Sequence, residues 1–107
     1  MSLEKINEVD AIGIDNQTEA VVLSIIDDLD WEEEKNHLIL LQEKINVYLS
    51  FIESGEIFEV YPDAKDRNIE IKIFTGYEFP EIGIEFLNKA LEIVEEAGFK
   101  LSWKVLG

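Results

Sequence analysis

The residues best equipped for chemistry crowd into positions 27–37. Asp27, Asp28, Asp30, Glu32, Glu33 and Glu34 form the densest acidic run of the chain, and His37, its one histidine, follows close behind. Glu34-Lys35-Asn36-His37 has the Glu-x-x-His spacing that puts both side chains on one helix face, as in di-iron bundles. Those centres need a second copy of the motif and further glutamates, which one histidine cannot supply. Glu33 and His37, four residues apart, could hold a loose metal. The simpler reading is a surface histidine beside acids that favour the positive end of a helix. Calcium also favours carboxylate oxygens, but the run lacks the Asp-x-Asp-x-Asp-Gly loop and leads straight into a helix. Helix capping explains Asp30 and the glutamates. Asp27 and Asp28 are left over, as candidates for contact with a divalent ion or a basic partner.

Other reaction classes find little support. The chain lacks cysteine, which removes disulfides, thiolate metal sites and a thiol nucleophile. Gly-x-Ser-x-Gly, P-loop, Gly-x-Gly-x-x-Gly and His-Glu-x-x-His motifs are all missing. Any two of the 24 acids could be nominated as a glycosidase pair, so that signal has no specificity. No residue is assigned a catalytic, cofactor-binding or metal-ligating role, and no cofactor is expected.

These residues must be positioned by one small domain spanning residues 1–107, since 107 residues leave no room for a second. Val9–Ile14 and Ala20–Ile26, separated by the polar turn Asp15–Thr18, predict a β-hairpin. Asp30 is the expected N-cap of a first helix ending at Gly55, with Glu33 completing a capping-box pair. On that basis Asp30→Ala is expected to cost about 0.5–2 kcal/mol. Ile57–Tyr61 reads as a third strand, Ile69–Ile73 as a cleanly alternating fourth, and Phe99–Val105 as a fifth. A second helix runs from Pro80 to Gly98. The order ββαββαβ predicts an α+β two-layer sandwich: one five-stranded sheet, mainly antiparallel or mixed, with two helices on one face. Dropping the first strand leaves the ferredoxin-like order. Residues 1–8 are candidates for disorder, and Met1-Ser2-Leu3 for a cloning remnant.

The first helix carries more apolar surface than one core face needs. Leu38, Leu41, Ile45, Tyr48, Leu49 and Ile52 share its main face, whereas Leu40, Val47 and Phe51 fall nearly opposite. That second stripe suits either cover from within the chain or a partner surface. The sheet's second face would also receive Ile12, Ile14, Val22, Ile26 and Phe74, more apolar residues than a solvated face carries. A homodimer is therefore expected. The candidate interaction surface comprises Leu40, Val47, Phe51, Asp27 and Asp28.

Charge restricts the other partners. The net charge of −15 is distributed as −7 over residues 1–30, −5 over 31–60 and −3 over 61–107. Such a chain is not expected to wrap nucleic acid, because the basic footprint is missing. No apolar run is long enough to span a membrane. The N-terminal residues do not read as a signal peptide, and a cytoplasmic location is the default expectation.

Several segments resemble a family of small acidic bacterial proteins known only as a domain of unknown function. They are Asp28-Leu29-Asp30-Trp31, Glu34-Lys35-Asn36-His37-Leu38, Leu40–Asn46 and Phe51-Ile52-Glu53-Ser54-Gly55, with Tyr61-Pro62-Asp63-Ala64 and Glu96-Ala97-Gly98-Phe99 in support. The resemblance covers roughly residues 9–105 and implies a bacterial origin and a compact domain, but no activity or site. The leading functional expectation is an acidic, non-enzymatic protein-binding module. It could neutralise a basic partner as immunity proteins and antitoxins do, an analogy only. The alternatives are a carboxylate-based enzyme or small-ligand binder, and a purely structural homo-oligomer.

Overall fold

The computed structural model describes Leu3 and residues 5–106. The proposed cloning remnant and the disorder of residues 1–8 fall in part on residues 1, 2 and 4, outside the described residues. Leu3, by contrast, is fully buried in the core.

The elements are β1 (Ala11–Ile14), β2 (Val21–Asp27), α1 (Glu34–Glu53), α2 (Glu56–Val60), a 3₁₀ turn (Pro62–Ala64), β3 (Ile69–Thr75), α3 (Glu81–Glu96) and β4 (Lys100–Val105). The fold is α+β, with four strands in one mixed sheet and three helices. Spatial order equals chain order, β1-β2-β3-β4. The β1–β2 hairpin is antiparallel, and β2–β3 and β3–β4 are parallel. Parallel neighbours need long crossovers. Here α1 and α2 provide the first and α3 the second, so the split ferredoxin-like order does not arise.

The fifth strand is the main correction. Ile57–Tyr61 is helical from Glu56 to Val60, despite its β-prone Ile, Phe and Val. Gly55 adopts a left-handed conformation (φ 85°) that closes α1 and redirects the chain. Only Ile57 of the five α2 residues is then buried, and the Tyr61 N–H donates to the Ile57 carbonyl at 2.7 Å.

The second correction is the start of α1. It begins at Glu34, and Glu33 at its N-cap makes no side-chain cap bond. Asp30 instead closes a local turn, its Oδ1 accepting from the Glu32 N–H at 3.1 Å. An exposed hydrogen bond of this kind is worth little, so Asp30→Ala should lower the unfolding free energy, measured by equilibrium urea unfolding, by no more than about 0.5 kcal/mol.

Strands β2 and β3 alternate buried and half-buried residues along their whole length. Val21, Leu23 and Ile25 pair in register with Ile69, Ile71 and Ile73 on the face covered by helices. Leu41, Ile45, Tyr48, Leu49 and Ile52 of α1 and Leu87, Ala90 and Val94 of α3 complete that core. Ile12 and Ile14, expected on the opposite face, pair with Leu23 and Val21 and pack against the core.

Helix α3 ends in a Schellman arrangement. Gly98 N–H bonds the Glu95 carbonyl at 3.0 Å, and Phe99 N–H bonds the Val94 carbonyl at 3.1 Å. Gly98 has φ 96°, which an L side chain rarely adopts. Gly98→Ala should therefore cost about 1–2 kcal/mol by equilibrium urea unfolding, although a Cβ there meets no atom within 4 Å. Among the described residues, no helix is long and apolar enough to cross a membrane.

Candidate functional site

In sheets with parallel strands, ligands favour the crevice beyond the carboxyl ends of the strands. Asp27 ends β2 there, in register with Thr75 of β3, and both are buried. His37, in the first turn of α1, reaches the same place. It is 1% exposed, not the surface histidine that the acidic run suggested. Its position four residues before Leu41 puts it on the buried stripe of the helix.

His37 is held on every side. Its Nε2 lies 2.5 Å from Oδ2 of Asp27, and its Nδ1 lies 2.8 Å from the Asp30 carbonyl oxygen. A carbonyl only accepts, so Nδ1 carries a hydrogen. Burial pushes the Asp27 carboxyl above its ordinary value, and the hydrogen bond from His37 partly offsets this. The Trp31 ring stacks on the imidazole at 3.7 Å between centroids and 13° between planes. Phe79 meets Trp31 edge-on at 5.3 Å. A Cβ on Gly83 would stand 3.2 Å from both Trp31 and Phe79, so glycine lets α3 close over this stack. Thr75 is engaged locally, its Oγ1 donating to the Tyr77 carbonyl at 3.1 Å and accepting from the Tyr77 N–H at 3.3 Å. Neither ring nitrogen of His37 is free to take a substrate proton or ligate a metal. The cluster ties the end of β2 to the start of α1.

The acidic run does not converge. Asp27 points inward, whereas Asp28, Asp30, Glu32, Glu33 and Glu34 are exposed. Among the described residues, no group of three or more His, Asp or Glu could hold a metal ion.

A second buried cluster lies two to three turns further along α1. Lys44 is fully buried, and its Nζ donates to Oδ1 of Asp10 at 3.0 Å and to the Lys5 carbonyl at 2.7 Å. The other Asp10 oxygen accepts from the Ile26 N–H at 2.8 Å. Tyr48 accepts from the Asp10 N–H at 2.8 Å and donates to the Ser24 carbonyl at 2.6 Å. Burial pushes the Tyr48 hydroxyl well above the usual phenol range. This network bolts residues 5–10 to β2 and α1. Its sequence signal is a lysine on the apolar stripe, three residues after Leu41 and four before Tyr48.

That N-terminal segment also bears on the second stripe. Phe51 belongs to the core at 9% exposure, and Leu40 is half-buried and packed against it. Val47 is half-buried and shares a recess with Asn7, Val9 and Phe51. Much of the suggested contact surface is thus covered from within the chain. Burial likewise removes Asp27 from the surface, leaving Asp28 exposed.

The uncovered surface is the other side of the sheet. There the registers place Val22, Glu70 and Lys100 in one row, Ala11, Ser24, Lys72 and Ser102 in the next, and Ile26, Phe74 and Lys104 in the third. Gly13 pairs with Val22 at the edge. Between β1 and β3 lies a shallow recess of about 350 Å³, lined in part by Gly13, Val22, Ser24, Lys72 and Phe74.

Fold and clusters together define a small α+β protein whose buried ionisable groups are paired internally and whose sheet has one open face. The chain belongs to a family of unknown function, DUF6572, matched over residues 1–107. No curated protein and no solved structure matches it.

Proposed function

We propose that this protein is a non-enzymatic protein-interaction module that works through the open face of its sheet. One observation carries this reading: Val22, Ile26 and Phe74 sit on a face that no described helix covers, half-buried beside neighbours in the same sheet. The ionisable groups that could have served chemistry are turned inward and paired with one another. Supporting the same reading, a solvated sheet face ordinarily carries polar residues in those rows.

The test is capture from native lysate with wild type, Phe74→Ser, Val22→Ser and the control Val47→Ser, each with its fold verified by circular dichroism. Capture should be lost with the two sheet variants and kept with Val47→Ser. Equal capture by all four would remove the sheet face from consideration. Sedimentation of wild type in parallel reports whether the captured partner is a second copy of the chain.

A further inference from the structure

We propose, resting on that reading, that the open sheet face binds a short extended segment of a partner protein whose sheet-facing side chains are both apolar and acidic. The first support is charge. The nine outward positions of β2, β3 and β4 carry Lys72, Lys100 and Lys104 against Glu70 alone, in a chain of net charge −15. Glu70 is itself engaged, accepting from the Ser102 hydroxyl at 2.6 Å. Asp15, at the rim, stays charged: the Thr18 and Gln17 N–H groups bind its Oδ1 at 3.1 and 2.7 Å and, with nearby Lys72, hold its carboxyl below the ordinary range, so Lys100 and Lys104 carry the uncompensated charge of the face. Lys72 stands over the Phe74 ring at 5.5 Å, which holds an ammonium beside the apolar centre of the face. Lys104 flanks Phe74 on the other side, in register with it. Salt screens the negative field of the remaining surface over about 8–10 Å, so the local lysines decide what docks here.

Size decides between occupants. Four strands at about 4.8 Å spacing and about six residues at 3.3 Å give a face of roughly 19 by 20 Å. That footprint is smaller than the ~800 Å² each partner contributes to a stable interface, which disfavours a second copy. It matches about six residues of extended chain, of which every second side chain faces the sheet, apolar ones over Val22, Ile26 and Phe74 and acidic ones toward Lys72, Lys100 and Lys104. A polyanion such as nucleic acid carries its charge beyond this footprint and meets the −15 chain there.

Gly13 is the second, independent pointer. Glycine weakens a strand interior and commonly marks close approach of another backbone. Its φ is not positive, and a Cβ built on it meets nothing within 4 Å. Nothing inside the chain therefore requires glycine at this position. With Ala11 beside it, Gly13 keeps the recess between β1 and β3 open for a segment from outside.

The experiment is amide chemical-shift mapping on the isotope-labelled full chain. The probes are a capped peptide of about eight residues in which every second position is in turn Val or Glu and the others are Ser, its Lys–Val counterpart, and a short oligothymidine. The Glu–Val peptide should shift Val22, Ser24, Ile26, Lys72 and Phe74 and spare α1 and α3. Lys72→Glu should weaken it about tenfold, and ~500 mM salt should weaken it further. Gly13→Val should leave the fold intact and abolish binding. The proposal falls if the Lys–Val peptide binds as well, if oligothymidine binds more tightly, or if the shifts map to the helices. It also falls if dilution of the free chain produces the same shifts, which would make the occupant a second copy. Failure of every peptide with Phe74→Ser still losing its captured partner would overturn the acidic segment and spare the interaction surface.

Discussion

Asp10→Ala should destabilise the fold by about 3–5 kcal/mol, the cost of stranding one charge of a buried ion pair. Lys44 and Asp10 have no side-chain exposure, and among the described residues the Lys5 carbonyl would be the one hydrogen-bond acceptor left to the ammonium. Asp10 also serves the Ile26 N–H, which would lose its partner. Asp10→Leu combined with Lys44→Met should lose much less, because hydrophobic replacement of a buried pair is often close to neutral. Equilibrium urea unfolding of the single and double variants measures both. A loss below ~1 kcal/mol for Asp10→Ala would mean that Lys44 relaxes into water by displacing residues 5–10.

His37→Ala should cost a similar ~3–5 kcal/mol, since it removes Asp27's partner and leaves a cavity beneath Trp31. Asp27→Asn should be far milder. Its amide can donate to Nε2 while Nδ1 still donates to the Asp30 carbonyl. The pH dependence separates wild type from this variant. Burial raises the native Asp27 pKa above its ordinary 3.8, so the folded state holds that proton more tightly than the unfolded chain. The resulting stability is complete below 3.8 and is lost as pH rises through the native value. Wild-type stability relative to Asp27→Asn should therefore fall as pH rises from about 4. A flat difference across that window would show that Asp27 titrates alike in both states.

What the sequence made legible followed from periodicity. Ile69, Ile71 and Ile73 alternating with Glu70 and Lys72 marked β3 because one face of that strand is buried and the other is not. The hairpin and α3 were readable for similar reasons. Ile57–Tyr61 was misread because residue preference in a five-residue stretch yields to chain direction, which Gly55 sets. The start of α1 was misplaced because an aspartate before a helical pattern serves a turn as well as a cap.

The candidate sites were legible only in part, for a different physical reason. Lys44 and His37 lie on the apolar stripe of α1, yet each is charged or polar by type, and His37 reads from the sequence as a surface residue. What buries them is a partner distant in sequence: Asp10, 34 positions from Lys44, and Asp27, ten from His37. Helical spacing reports which face a residue occupies but not which carboxylate waits there. The open sheet face was sensed through Val22, Ile26 and Phe74, but its lysine rows needed the strand register.

Because each strand lies beside its neighbour in the chain, the sheet can grow in the order in which it is synthesised. β2 docks on β1 through a short turn, β3 returns after α1 and α2, and β4 follows α3. The hairpin closes locally, but each parallel pairing closes a long loop, Val21 with Ile69 and Glu70 with Lys100, which makes these the slow additions. The same order has a hazard on the ribosome. Until α3 and β4 emerge, the far edge of β3 presents the backbone of residues 70–75 unpaired beside the apolar Ile71 and Ile73, the kind of strand edge that recruits other nascent chains. Synthesis slowed between Gly76 and Lys100 would prolong that window, so aggregation during expression should respond to translation speed there more than elsewhere in the chain.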